Sequence, residues 1–356
     1  MIWNSGLQNM NSKVNRKGAR LSSLLLLGCM AAGILCQGCT WQADNTGAKE
    51  KEETKGEEKI SVVTTIFPQY DFVREIAGEK VELKMLMKPG EETHSYEPTP
   101  QDIIAVQNSD IFIYVGGEND EWVEEILASM PDENRETLKL TDCVDTYEEE
   151  HVEGMKEEHK HSHEEEKENI QSEGTKTHSV HEIDEHVWTS PRNAIQIVEA
   201  VKDLLVKVDE RNASVYEENA SDYEEKLWEL DAQFQQVVQT SKRKLLLFGD
   251  RFPFRYFAEE YGLSYYAAFP GCASDTEPSA ATMAFLIDKV KEERIPVILK
   301  MELSNADISN AIAEATDTRV ETFYSCHNIS AEDFENGETY YSMMEKNVET
   351  LKEALN

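Results

Sequence analysis

Basic residues are scarce in this chain of 356 amino acids: 35 Lys and Arg face 70 Asp and Glu, a formal net charge of −35. A surface so negative repels a phosphate backbone, which excludes nucleic acid as a partner. Cysteine is nearly as rare, six in all, with Cys29, Cys36 and Cys39 confined to the first 39 residues. Cys143, Cys272 and Cys326 are too few for a disulfide scaffold, though enough for one bridge outside the cell. A long apolar run is missing as well. The most apolar stretch, residues 21–35, falls short of the roughly 18 residues a membrane-spanning helix requires. There is also no His-Glu-x-x-His helix or similar hydrolytic motif, which argues against a hydrolytic metalloenzyme.

What is present begins with Lys13, Arg16, Lys17 and Arg20 ahead of that apolar stretch, and Cys36-Gln37-Gly38-Cys39 after it, the layout of a secretory signal. Gly38-Cys39 resembles a bacterial lipoprotein cleavage site, which makes residues 1–38 the signal peptide and Cys39 the lipidated first residue. Leu26-Leu27-Gly28-Cys29 has the commoner leucine spacing and is the alternative, at the cost of an apolar region reduced to residues 21–27. The plain reading is an ordinary secreted protein with an odd cysteine. Residues 39–59, rich in Glu, Lys, Thr and Gly, bury too little apolar surface to fold and form a tether. The expected location is therefore extracytoplasmic, anchored by lipid to the outer face of the cell membrane.

The remaining chain is long enough for two lobes. Residues 60–67 read as a buried strand, 70–76 as a helix, 81–87 as a strand stopped by Pro89-Gly90, 100–108 as a helix and 111–115 as a strand. Strands and helices taking turns imply βαβ units and a mainly parallel sheet. Tyr216, Tyr223, Leu227, Leu230 and Phe234 recur at three- and four-residue steps, predicting one long helix over 213–241. A second alternation follows: strands at 244–248, 263–269 and 297–301, helices at 254–260 and 278–293, and a final helix over 339–355. The expected organisation is an N-terminal lobe over 60–212, a linking helix over 213–241 and a C-terminal lobe over 242–356.

Residues 148–185 interrupt this pattern with clustered Glu and Lys and with His151, His159, His161, His163, His178 and His181. They read as a disordered insertion. A solvated acidic loop is the plain interpretation; histidine at this density beside carboxylates points instead to metal capture.

Two further histidines lie in a different context. His94, in Thr93-His94-Ser95-Tyr96-Glu97-Pro98, sits in a turn-rich loop after a strand, where side chains reach a crevice at the carboxyl edge of a sheet. His186, in Asp184-Glu185-His186-Val187-Trp188-Thr189-Ser190-Pro191, precedes a helix and stands beside an aromatic residue. Singly, each is an ordinary surface or capping histidine; together, on an exported chain with a histidine-rich insertion, they favour a metal.

With these motifs, and with Tyr261-Gly262-Leu263, Glu277-Pro278-Ser279 and Tyr340-Tyr341-Ser342-Met343-Met344, nearly all of the mature chain resembles the receptors that serve zinc and manganese ABC importers, including those once called adhesins. The resemblance implies two Rossmann-like lobes joined by a long rigid helix, with one metal ion held in the cleft between them. It also implies a monomeric receptor whose partners are the metal ion and an ABC permease in the membrane. His94 and His186 match the first two ligand motifs. The pattern then departs. Arg251 stands where a third histidine or glutamate is usual, and arginine cannot ligate a cation; a shift of one residue brings in Asp250. Ser325-Cys326-His327 replaces the last aspartate, leaving His327 or Cys326 as its substitute. A Cys272–Cys326 bridge and thiolate ligation are both open, and Cys143 reads as a small buried hydrophobe. Imidazole and thiolate donors suit Zn²⁺, whereas Mn²⁺ calls for more carboxylate.

The expected function is a high-affinity zinc receptor for an importer, not an enzyme. A manganese receptor is the near alternative. A metalloenzyme using Glu302 or Asp250, and a surface adhesin or interaction protein, are the rivals from other classes.

Overall fold

Short β-branched and aromatic stretches form the centre of each lobe. In the computed structural model, whose described residues are 59–91, 96–117, 120–130, 135–155, 182–273 and 277–356, β1 (Ser61–Thr64), β2 (Glu82–Met85), β3 (Ile111–Tyr114) and β4 (Glu136–Lys139) form one parallel sheet in the order β2-β1-β3-β4. Every residue of β3 is buried, as befits an inner strand covered on both faces. The signal segment, Cys39, nearly all of the tether, His94, His159, His161, His163, His178 and His181 lie outside the described residues.

Three helices belong to this sheet: α1 (Phe67–Ala77), α2 (Pro100–Gln107) and α3 (Glu121–Ser129). Helix α1 starts three residues earlier than the sequence pattern suggests. Pro68 lies in its first turn, where no amide partner is required, and the Gln69 side chain accepts from the Thr65 and Ile66 amides at 2.9 and 3.1 Å, closing the strand-to-helix bend.

Helix α4 (Pro191–Val208) is capped by Ser190, whose hydroxyl accepts from the Asn193 amide, and runs into α5 (Ala213–Thr240). The 28 residues of α5 extend about 42 Å at 1.5 Å each. Its buried stripe meets both lobes: Tyr223 lies against Phe72 of α1, and Phe234 packs edge-on to Phe257 at 4.9 Å between ring centroids.

The second sheet repeats the first. Strands β5 (Leu245–Phe252), β6 (Ser264–Pro270), β7 (Val297–Lys300) and β8 (Arg319–Thr322) are parallel in the order β6-β5-β7-β8. Around them lie α6 (Arg255–Tyr261), α7 (Ala280–Glu293), α8 (Asp307–Thr316), α9 (Ala331–Glu335) and α10 (Tyr340–Ala354). In each sheet the first strand is flanked by the second and third, so the connections leave it in opposite directions and open a crevice at its carboxyl end, the usual ligand position in such folds.

One apolar cluster runs through both lobes, from Ile60 and Phe72 through Tyr223 and Phe234 to Tyr340 and Leu355. Smaller clusters cover the outer face of each sheet. The insertion is narrower than 148–185. Glu148 bridges Ile183 in antiparallel fashion, the Glu149 amide donates to the Glu182 carbonyl at 2.9 Å, and Asp184 and Glu185 are buried. The paired backbone and contacts to the C-terminal lobe satisfy polar groups that composition alone assigns to solvent.

Candidate metal centre

His186 is fully buried at the entry to α4, and three side chains from elsewhere fix the segment that carries it. Tyr256 donates to the Asp184 carbonyl at 2.7 Å, Trp188 donates from Nε1 to the Ser325 carbonyl at 2.8 Å, and Tyr340 donates to the Trp188 carbonyl at 2.7 Å. Asp184 does more locally. Its Oδ1 accepts from the His186 amide at 2.9 Å and lies 3.0 Å from Nδ1. A proton held on Nδ1 by this carboxylate leaves the lone pair on Nε2, the arrangement that orients a metal-binding imidazole. Burial lowers the His186 pKa, but the charge and hydrogen bond of Asp184, with the charges of Glu185 and Glu149, outweigh it and raise the value above normal. Gly271 packs on the ring: a Cβ there would lie 3.3 Å from His186 Cε1 and 3.0 Å from the Phe252 carbonyl oxygen.

His327 reaches the same place from the loop after β8. The His186 and His327 rings stand 5.1 Å apart between centroids and nearly perpendicular, at 83°. Cys326 occupies the left-handed backbone region with φ 57°, which turns its side chain into the core while its neighbours Ser325 and His327 line the cleft. Burial pushes its thiol pKa well up.

Cys326 is thereby corrected: it is a core residue rather than a cleft ligand. The Cys272–Cys326 bridge, left open by the sequence, is not formed: Cys143, Cys272 and Cys326 are all free thiols. Cys272 is held elsewhere, its amide donating to Glu149 Oε1 at 2.7 Å. Cys143 is partly buried against the main core and its thiol is pushed up to about 11, chiefly by burial.

Asp250, Arg251, Met301 and Glu302 come from the carboxyl ends of β5 and β7 and, with Glu91 from the N-terminal lobe, complete a cleft of about 290 Å³ that His186 and His327 share. That volume lies near the lower end of small-ligand clefts, wide enough for an ion to enter with water around it. Asp250 accepts from the Arg251 amide at 2.9 Å and from the Met301 amide at 3.1 Å, which fixes its orientation. Glu302 accepts from the Ser325 amide and hydroxyl, each at 2.9 Å; burial raises its pKa although these bonds pull the other way. Arg251 lines the cleft as well, and offers only donors.

Among the described residues, no group of three or more His, Cys, Asp or Glu is close enough to hold a metal ion. The structure thus brings His186 and His327 together, with Asp250 and Glu302 on the same cleft. His151 is exposed on the insertion stem, where the neighbouring Glu150 pairs with Arg255 and accepts from Tyr265. Asp184 was legible in the sequence only as a flanking acid. Its spacing of two residues before His186, which lets one carboxylate reach both the amide and the ring, is the signal that identifies it.

The family model described as zinc-uptake complex component A, periplasmic, matches residues 62–354. The zinc-binding lipoprotein AdcA of Streptococcus pneumoniae is 31% identical over 302 residues, covering 83% of this chain and 56% of that protein, so the chain spans little more than half the length of that relative. The high-affinity zinc uptake system protein ZnuA of Bacillus subtilis is 31% identical over 311 residues, 87% of this chain and 92% of its own. Among solved structures, the Zn(II)-bound ZnuA-like domain of Streptococcus pneumoniae AdcA superimposes with a TM-score of 0.65 at 29% identity, covering 84% of this chain and 99% of that one. The metal-dependent lipoprotein YcdH of Bacillus subtilis gives a TM-score of 0.68 at 27% identity, covering 84% and 100%. Two repeated parallel-sheet lobes, a histidine pair at their carboxyl edges and a family match over residues 62–354 lead to one assignment: the chain belongs to the periplasmic zinc-uptake complex component A family.

Proposed function

We propose that this protein is an extracytoplasmic receptor that binds Zn²⁺ in the cleft and delivers it to an ABC permease in the membrane, to which the lipid on Cys39 keeps it close. The observation that carries this reading is the His186–His327 pair, two imidazoles from different lobes with 5.1 Å between ring centroids, one of them aligned by a buried carboxylate. Nε2 of His186 and the ring of His327 supply two donors and His94, from the segment that follows β2 in the sequence, a third; Asp250 and Glu302, on the same cleft though not yet within reach of both imidazoles, are the candidates for a fourth. Three imidazoles and one carboxylate suit tetrahedral Zn²⁺ better than Mn²⁺, which favours a larger share of oxygen donors. The ion is cargo, retained and released without turnover, and one monomer suffices for one site.

Chelator-competition titration of the full mature chain tests this. The parent should bind one Zn²⁺ per chain and prefer it to Mn²⁺, while His186→Ala and His327→Ala should each weaken binding by at least about tenfold, or about 1.4 kcal/mol. Unchanged affinity in both variants would end the proposal. Parallel titration of Asp250→Ala and Glu302→Gln identifies the carboxylate donor, which is the one whose loss weakens binding.

A further inference from the structure

The loop that leaves β2 begins with a tight turn, Lys88-Pro89-Gly90-Glu91. The Glu91 amide donates to the Lys88 carbonyl at 3.1 Å, proline fills the second position, and Gly90 takes φ 84° in the third, the features of a type II turn. This N-terminal-lobe turn is held from the other lobe. Asn328, 2% exposed, donates from Nδ2 to the Lys88 carbonyl at 3.0 Å and to the Glu91 carbonyl at 2.8 Å. Its own Oδ1 accepts from the Ile329 amide at 2.8 Å, and the Ile329 carbonyl accepts from the Gly90 amide at 2.8 Å. Two consecutive C-terminal-lobe residues therefore bind both ends and the middle of the turn.

Asn328 directly follows His327, and Glu91 lines the same cleft as His186 and His327. We propose that Asn328 is a positioning residue: its carboxamide locks the Lys88–Glu91 turn to the loop carrying His327 and so sets the width of the cleft between the lobes. The proposal rests on the reading of that cleft as the zinc site. Only a donor group fits between two carbonyl oxygens. Aspartate at this position would oppose them with a third acceptor, and leucine, of similar volume, would leave both carbonyls without the carboxamide donor. The expected consequence is a looser cleft that releases its ion faster.

The test uses Asn328→Asp and Asn328→Leu in the full mature chain, with three measurements: Zn²⁺ release into excess chelator, the visible absorption of the Co²⁺-loaded protein, and the thermal midpoint of the metal-free protein. Release at least about tenfold faster, with a shifted Co²⁺ band, supports the assignment. A lowered midpoint with release rate and band unchanged shows an ordinary packing residue and overturns it. If neither variant folds, amide exchange in the parent decides: slow exchange at Gly90 that slows further on Zn²⁺ binding supports the lock, and exchange at the rate of an open loop overturns it. His186→Ala, measured alongside, separates the two claims. Parent-like Zn²⁺ retention in that variant removes the zinc site itself, whereas lost retention there with unaltered Asn328 variants removes only the role of Asn328.

Discussion

Asp184 decides how His186 behaves towards protons and metal. The carboxylate holds Nδ1 and raises the pKa of the ring, so in the metal-free protein H⁺ competes with Zn²⁺ from a higher pH than at an ordinary histidine. Binding should weaken as pH falls through that raised value. In Asp184→Asn the ring loses the negative charge that favours its proton, so the acid limb of Zn²⁺ binding should move to lower pH; affinity on the plateau should fall about 10- to 100-fold, because the ring is no longer aligned. A Zn²⁺ titration series from pH 5 to 8 reads both effects, and an unmoved acid limb would contradict the role given to Asp184. At this scale the sequence was informative about residue type and poor on direction. His186 could be named from its neighbours in the chain, and His327 only from the place of the missing aspartate in the family pattern. Cys326 and His327, adjacent candidates for that place, are separated by one left-handed backbone angle at residue 326, which sends one side chain into the core and leaves the other on the cleft.

Among the elements, the insertion stem yields the clearest separation of roles. Residues 149 and 182 are joined by a backbone hydrogen bond, so removing 156–181 cuts across a closed hairpin base and leaves Asp184 and His186 in place. We expect the deletion variant to keep the parent's tightest Zn²⁺ affinity while losing weaker additional equivalents, measured by isothermal titration at constant pH. Loss of the tight site would instead place it in the insertion. The periodic elements were legible: α5 ends one residue before its expected limit and α10 is one residue shorter at each end, because long amphipathic repeats define their own faces. The start of α1 was not, since a proline after an apolar run reads as a strand stop, while the cap supplied by Gln69 depends on a side chain folding back four residues. The cross-lobe lock at Asn328 was invisible for a simpler reason: it joins residues some 240 positions apart, as the Asn328-to-Lys88 bond shows.

For the whole molecule, the shared core and the seam around Asp71 dominate. Asp71 is buried beneath α10, where the Tyr340 amide donates to it at 2.7 Å and Arg74 pairs with it. Burial raises its pKa from 3.8 to about 6, against the pull of Arg74 and the Tyr340 amide. The folded protein therefore binds this proton more tightly than the unfolded chain. Its contribution is most favourable below about pH 4, declines as pH rises to 6, and stays low above, a span of about 3 kcal/mol. Asp71→Asn removes this titration, so the thermal midpoint of the variant minus that of the parent should become more positive between pH 4 and pH 7. A difference independent of pH would refute the assignment. Because one apolar cluster runs through both lobes, metal-free unfolding should also be a single transition by calorimetry, and two resolved transitions would show the lobes to be independent.

The seam has a bearing on the order in which the chain can acquire its shape. Helix α1 lies near the start of the described residues, yet its Asp71 and Phe72 are completed by Tyr340 of α10, whose ring meets Phe72 at 4.9 Å, and Trp188 depends on the same tyrosine. A polypeptide made N-terminus first has no finished N-terminal lobe until its last helix is available. For the exported receptor proposed above, closure delayed in this way would leave the assembly of the cleft to the final step, once both of its walls are on the same side of the membrane.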